Sequence, residues 1–313
     1  MLELAIMVEG QMGLNWPRWQ RLATAVEDLG FVGLYRSDHF TNPDGPDQDS
    51  LELWVSLTWL ASHTRRLEFG PLVTPVSFRH PTLTARMASA VDDLSGGRLT
   101  LGLGAGWQVR EHSRYGFDLL DAPRRFKRFE EGVQVVTRLL NSDQPVDFDG
   151  EFFKLKEASL LPRPARLGGP RILIGGNGFQ RTLSLAARFA SEWNAVFLPT
   201  PEFAKHNRHL DELLLAAGRQ PADVRRSLMT GCRFGANQAA LDRQLASQSP
   251  GQTAAVLRER GLVVGTPAEM VDQLGRLAEA GVQRVMLQWL DLDDLEGLTA
   301  LAQQVLPQVM QRG

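Results

Sequence analysis

Ile172-Leu173-Ile174-Gly175-Gly176-Asn177-Gly178 is a short apolar run that stops at a cluster of glycines. A strand buried on both faces reads as such a continuous run, without the alternation of a half-exposed one. Helical spacing follows over Gln180–Ala190, and a second apolar run starts at Asn194. Strand, glycine turn, helix and next strand make one unit of a parallel α/β sheet.

The unit recurs along the chain. Apolar runs at Leu4–Val8, Val32–Arg36, Leu67–Thr74, Leu99–Gly104, Ile172–Gly175, Asn194–Leu198, Leu228–Phe234 and Val285–Trp289 each precede a helix-like stretch. In the first of these stretches Asn15 can cap, Pro17 suits the first turn and Gly30 closes the helix. Glu269–Ala280, closed by Gly281, repeats the pattern before the last strand. Eight units in 313 residues fit a closed (β/α)8 TIM barrel better than an open sheet. One domain over residues 1–313 is expected. Extra length follows strands 4 and 7, carrying helical patterns over Arg124–Leu140 and Ala236–Arg260. Insertions after barrel strands are where active-site covers are built.

Composition removes several functional classes. The net charge of −2 lacks the basic excess that neutralising a nucleic-acid backbone needs. Met1 leads straight into the first strand, and no apolar stretch reaches the ~18 residues of a membrane span. A cytoplasmic protein without membrane contact is expected. Cys232 is the only cysteine, so no disulfide framework forms within the chain. The four lysines, Lys127, Lys154, Lys156 and Lys205, fall in helical or inserted stretches, which disfavours a Schiff-base lysine on a strand end. No His-x-His follows the first strand and no carboxylates cluster with the histidines, so no metal site is expected; His206 and His209 share a helix face as ordinary surface residues.

Candidate chemistry gathers at strand ends, the face where barrel enzymes place their sites. Ser37-Asp38-His39 follows strand 2; an aspartate beside a histidine can fix one imidazole tautomer for proton transfer. Strand 3 carries Pro71 and Pro75, each lacking a ladder donor, so either a bulge or strained peptide near its end or a simple strand terminus at Thr74 is expected. Gly102-Leu103-Gly104-Ala105-Gly106-Trp107 closes strand 4 and lets a flat ring approach the backbone. It lacks the spacing of a dinucleotide fingerprint. The glycines of 175–178 open a helix whose free N-terminal amides favour a phosphate. Glu111 and His112 lie just beyond Trp107, near enough in sequence to edge the same pocket.

Taken in order, Ala25–Phe31, Ser37-Asp38-His39, Leu72–Pro81, Asp93–Arg98, Gly102–Trp107, Leu160–Pro164, Ile174–Gly178 and Ala187–Asn194 resemble the luciferase-like monooxygenase superfamily, especially its deazaflavin-dependent branch. The resemblance implies that Asp38 and His39 lie against the cofactor ring, His39 as catalytic acid or base and Asp38 as its orienting partner. It implies a non-prolyl cis peptide at Leu72–Val73 or an immediate neighbour, pressed on the ring's other face with Thr74. Gly104, Gly106 and Trp107 would pass close to the ring, and Gly175, Gly176, Asn177 and Gly178 would take the phosphate. Trp107 stands where a sugar-phosphate dehydrogenase of the family carries a catalytic glutamate, which argues against sugar-phosphate oxidation.

The activity so implied is hydride transfer between coenzyme F420 and a small organic substrate, in a direction the sequence does not fix. An FMN-dependent monooxygenase using reduced flavin and oxygen is the alternative, because the glycine loop serves either cofactor. A non-catalytic flavin-binding protein is the third reading. Family habit and the apolar helix faces make a homodimer the expected assembly.

Overall fold

The continuous Val/Ile/Leu runs form parallel strands, as runs buried on both faces should. The computed structural model describes residues 2–311. Its barrel strands are β1 (Glu3–Val8), β2 (Gly33–Arg36), β3 (Glu68–Pro71) with its continuation β4 (Thr74–Pro75), and β5 (Thr100–Gly104). A separate antiparallel hairpin, β6 (Val146–Asp149) and β7 (Lys154–Ala158), follows. The barrel resumes with β8 (Arg171–Gly175), β9 (Glu192–Val196) and β10 (Arg225–Phe234); β11 (Val263–Gly265) pairs only with β10, and β12 (Arg284–Gln288) returns beside β1. Pairing runs β3-β2-β1-β12-β10-β9-β8-β5-β4, and a parallel bridge from Phe69 to Leu99 closes the ring. With β3 and β4 as halves of one stave, this is the expected eight-stave barrel.

The third stave does not run unbroken to Thr74. It stops at Pro71 and resumes at Thr74, with a cis peptide at Leu72–Val73. Prolines at 71 and 75 remove donors on both sides of the break. At this seam the backbones of β3 and β5 approach so closely that glycine is required twice. A Cβ at Gly70 would stand 1.9 Å from the Thr100 carbonyl oxygen, and one at Gly102 would stand 2.2 Å from that of Pro71. Gly102 thus serves strand packing, not ligand access.

The outer layer comprises α1 (Trp16–Asp28), α2 (Leu53–His63), α3 (Pro81–Ser95), α4 (Val109–Tyr115), α5 (Ala122–Asn141), α6 (Arg181–Phe189), α7 (Thr200–Ala216), α8 (Gln238–Gln248), α9 (Ala254–Glu259), α10 (Pro267–Glu279), α11 (Leu295–Gln304) and α12 (Leu306–Gln311). α1 is capped by the Asn15 side chain and buries Trp19, Leu22, Ala23 and Val26. Each large side chain so buried contributes about 1.5–3 kcal/mol. The helical stretch at 236–260 divides into α8 and α9, because Pro250 and Gly251 (φ +75°) fall between them. Strand β9 starts at Glu192, earlier than Asn194, and ends at Val196; Phe197 then turns to φ +52°. Among the described residues, no helix is long and apolar enough to cross a membrane.

The barrel interior is apolar in its middle, where Ala5, Met7, Tyr35, Leu72, Leu173, Met229 and Met286 pack together. At the N-terminal end it is closed by charge. Arg284 is fully buried and meets Glu3 (2.6 Å) and Glu68 (2.7 Å), while its Nη1 donates to the Tyr35 hydroxyl at 2.7 Å. Glu192, equally buried, lies 3.7 Å from the same guanidinium. Burial disfavours the cation, but Tyr35 and these carboxylates outweigh it and raise the Arg284 pKa. The opposite end is open.

Candidate active site

A cavity of about 430 Å³ occupies the C-terminal mouth of the barrel. Met7, Leu72, Val73, Pro75, Phe129 and Phe197 give it a mainly apolar wall. Polar groups enter from strand ends: Glu9 beyond β1, Ser37 and His39 beyond β2, Glu111 on α4, Asn177 after β8 and Asn194 on β9. No lysine or arginine is among the lining residues.

His39 is held by Glu111, not by Asp38. Its Nδ1 lies 2.9 Å from Oε1 of Glu111, whose other oxygen accepts from the Phe40 amide at 2.9 Å. A carboxylate can only accept here, so Nδ1 carries hydrogen and Nε2 is the nitrogen left for proton exchange. Burial works against the imidazolium, but the hydrogen bond and charge of Glu111, with Glu9 and Asp38 beyond, outweigh it and raise the His39 pKa. Trp107 stands edge-on to the imidazole with ring centroids 5.5 Å apart. It is 58% exposed, at the rim of the cavity.

The expected pairing of Asp38 with His39 is corrected by this geometry. The Asp38 carboxylate turns behind the wall, where it pairs with Arg79 and accepts from the Thr74 hydroxyl at 2.7 Å. Burial raises its pKa, partly offset by Arg79 and Thr74. Neighbours along an extended chain point to opposite sides, so the adjacent aspartate braces the split third stave while the histidine faces the cavity. Thr74, engaged with Asp38 and 2% exposed, also lies behind the surface a ring would touch.

The other expected residues meet at the mouth. Leu72, Val73, Gly104, Gly106, Trp107, Gly175, Gly176, Asn177 and Gly178 all line the cavity. Val73 explains two of the glycines: a Cβ at Gly104 would lie 2.4 Å from its Cγ2, and one at Gly175 would lie 2.8 Å from its Cγ1. The Asn177 side chain is occupied, donating to the Val196 carbonyl at 2.7 Å and accepting from its amide at 2.9 Å. It clamps the loop to β9 and leaves ligand contacts to the backbone. The helix behind the loop, α6, starts at Arg181, and Gln180 supplies no side-chain cap. Thr182 and Leu183 give their amides to the Gly178 carbonyl at 3.0 and 3.1 Å, so the amides just ahead of them, at Phe179, Gln180 and Arg181, are the ones open to an anion.

His112 stands behind the wall, accepting from the Ser77 hydroxyl (2.8 Å) and donating to the Gln108 carbonyl (2.7 Å). His206 and His209 pack on Phe179, His209 stacked at 4.0 Å between centroids. Glu9 had no individual signal in the sequence; its position one residue past a barrel strand is the cue that could have found it.

A family profile described as luciferase-like monooxygenase matches residues 7–284. The chain is 31% identical over 179 residues to 4-hydroxyprotoasukamycin monooxygenase of Streptomyces nodosus subsp. asukaensis, covering 57% of this chain and 47% of that one. It thus spans about half the length of that relative. With the F420-dependent glucose-6-phosphate dehydrogenase of Microbacterium testaceum it shares 26% identity, over 91% of each chain. In structure it superposes on an F420-dependent secondary alcohol dehydrogenase bound to an F420-acetone adduct, with a TM-score of 0.85, 19% identity and coverage of 98% and 99%.

Proposed function

The chain belongs to the luciferase-like monooxygenase family, and on that premise we propose that it is a coenzyme F420-dependent oxidoreductase moving a hydride between the deazaflavin and a small organic substrate. The observation that carries this reading is the His39–Glu111 pair on the wall of an otherwise apolar cavity, on the face opposite the buried charge cluster. The resemblance to the F420-dependent dehydrogenase over nine-tenths of both chains supports the cofactor.

The residues fit that cofactor. Glycines 175, 176 and 178 with the uncapped α6 suit its phosphate, Leu72 and Val73 present one apolar face to a ring, and Gly104 and Gly106 carry no side chain that would obstruct it. When bound, the deazaflavin supplies the hydride acceptor or donor. His39 then exchanges a proton through Nε2 with the substrate oxygen: it donates as a carbonyl is reduced and accepts as an alcohol is oxidised. Glu111 fixes the tautomer and stabilises the imidazolium. Trp107 covers the pair, and the apolar wall holds water away from it. The absence of a cationic side chain on the wall disfavours a phosphorylated substrate.

A single domain, a cytoplasmic location and a homodimer complete the proposal. Leu83 and Leu94 on α3 and Val55 on α2, each about half exposed, support an apolar contact between copies. FMN-dependent oxygenation is the second reading, favoured by the similarity to the asukamycin-type monooxygenase. The test is rapid mixing of reduced F420 and enzyme with a panel of aldehydes and ketones, amino-substituted ones included, following deazaflavin absorbance. The parent protein should oxidise the cofactor with at least one substrate, and His39→Ala should bind cofactor yet turn over roughly 100-fold or more slowly. Equal rates in parent and variant, or no oxidation with any carbonyl, contradict the assignment.

A further inference from the structure

Beside the His39–Glu111 pair, the cavity carries a second carboxylate whose role is set by the direction of a hydrogen-bond chain. The chain starts at the Gly10 amide, which can only donate, and it donates to Ser37 Oγ at 2.9 Å. The single Ser37 proton goes to Gln11 Oε1 at 2.7 Å. Gln11 must then turn its amide nitrogen away from Ser37, and Nε2 donates to Glu9 Oε2 at 3.0 Å. From the other side Gln288 Nε2 donates to Glu9 Oε1 at 2.7 Å. Both oxygens of Glu9 are therefore hydrogen-bond acceptors, held in place by amide N–H groups. Ser37 and Gln11 are 2% and 5% exposed, so solvent cannot readily reorder the chain.

The charge held in this way faces a wall with no lysine or arginine. The Arg36 guanidinium lies against Gly10 and donates to the Ser37, Leu51 and Glu52 carbonyls and to Ser56 Oγ. It offsets part of the field but offers the cavity no donor. The ring of staves sets the geometry further. β1 and β8 are separated by four steps around the eight-stave barrel, so Glu9 stands across the mouth from the glycine loop and the open amides of Phe179, Gln180 and Arg181. One rim attracts an anion; the opposite rim accepts from a donor.

We propose that Glu9 is a specificity-determining residue that selects ligands bearing an N–H donor, a basic nitrogen above all, and rejects those presenting a carboxylate or phosphate at the β1 rim. The inference rests on the reading of this cavity as the substrate site, and it deepens that reading by adding a substrate class. A cationic nitrogen meets a carboxylate acceptor fixed in position, whereas an anion meets like charge in a low-dielectric wall.

The test needs neither cofactor nor turnover. Benzylamine, benzyl alcohol and benzoate share a ring suited to the Phe126, Phe129 and Phe197 wall and differ only in head group. Each is titrated, with excess inorganic phosphate present to fill the glycine-loop rim, into the full-length protein and its Glu9→Gln variant by tryptophan fluorescence. Benzylamine should bind roughly tenfold or more tightly than benzoate to the parent protein. In Glu9→Gln that preference should shrink to within about threefold. Benzoate binding as well as benzylamine, binding of none of the three, or an unchanged ranking in the variant overturns the proposal. The ranking on the parent protein decides the matter even if the variant folds poorly. Failure here leaves the hydride-transfer reading intact, and failure of F420 to react leaves this ranking intact.

Discussion

His39 Nδ1 and Glu111 Oε1 lie 2.9 Å apart although 72 residues separate them in sequence. The contact joins the end of β2 to α4, which the insertion after β5 supplies. Replacing Glu111 by Gln removes the charge that lifts the His39 pKa while keeping an acceptor for the Phe40 amide. The His39 value should then fall, measured by NMR titration of its ring protons. The sign for stability follows. A pKa raised by folding stabilises fully below the ordinary value of 6.5, and the contribution is lost as pH rises through the elevated folded value. Glu111→Gln should therefore lose more stability at pH 5.5 than at pH 9. An equal loss at both would show that the pair carries no net proton linkage.

Trp107 is exposed yet touches the imidazole edge-on. Trp107→Ala should change the melting temperature little, since surface truncations cost within about 0.5 kcal/mol. An aromatic contact of about 0.5–1.5 kcal/mol would instead be lost from ligand affinity, a two- to tenfold rise in Kd. Thermal melts alongside cofactor titrations separate the two.

Val73 leaves no room at Gly104. Gly104→Ala would place a methyl 2.4 Å from Val73 Cγ2, and a β-branched side chain cannot swing aside freely. Overpacking of this kind costs about 1–3 kcal/mol. Denaturant unfolding should register that loss, with cofactor affinity falling in parallel because Val73 forms the cavity wall. Wild-type stability in the variant would contradict the packing described.

At the other end of the barrel, Arg284→Met would remove the closer cation from Glu3, Glu68 and Glu192 and leave them the longer contacts of Arg225, at 3.8, 3.4 and 3.6 Å. Breaking a buried pair from one side costs about 3–5 kcal/mol. The loss should be largest at neutral pH and shrink as falling pH protonates Glu68, whose pKa Arg284 and its neighbouring arginines hold below the ordinary carboxylate value despite burial. Urea unfolding across pH tests this. A pH-independent loss would point to cavity formation instead.

The barrel was legible because its strands are buried on both faces: Ile172–Ile174 and Leu99–Leu103 announce themselves by composition alone. Pro71 and Pro75 mark an irregularity near the end of the third strand, while its place at Leu72–Val73 follows from the family resemblance. What stayed hidden depends on side-chain direction. Asp38 and His39 sit side by side in sequence, but one residue of offset sends the carboxylate to Arg79 and the imidazole to the cavity. Asn177 fell on the right loop, yet its amide clamps β9. Glu111 was found near the pocket without its partner, because nothing local links it to His39. Glu9 passed unnoticed because a single acidic residue after a strand has no pattern of its own.

The most direct test of the central claim is an equilibrium titration of the purified chain with oxidised and reduced F420 and with FMN, read by tryptophan fluorescence. Micromolar or tighter binding of the deazaflavin with FMN at least roughly tenfold weaker is the predicted result. Tighter binding of FMN, or binding of neither, would contradict it.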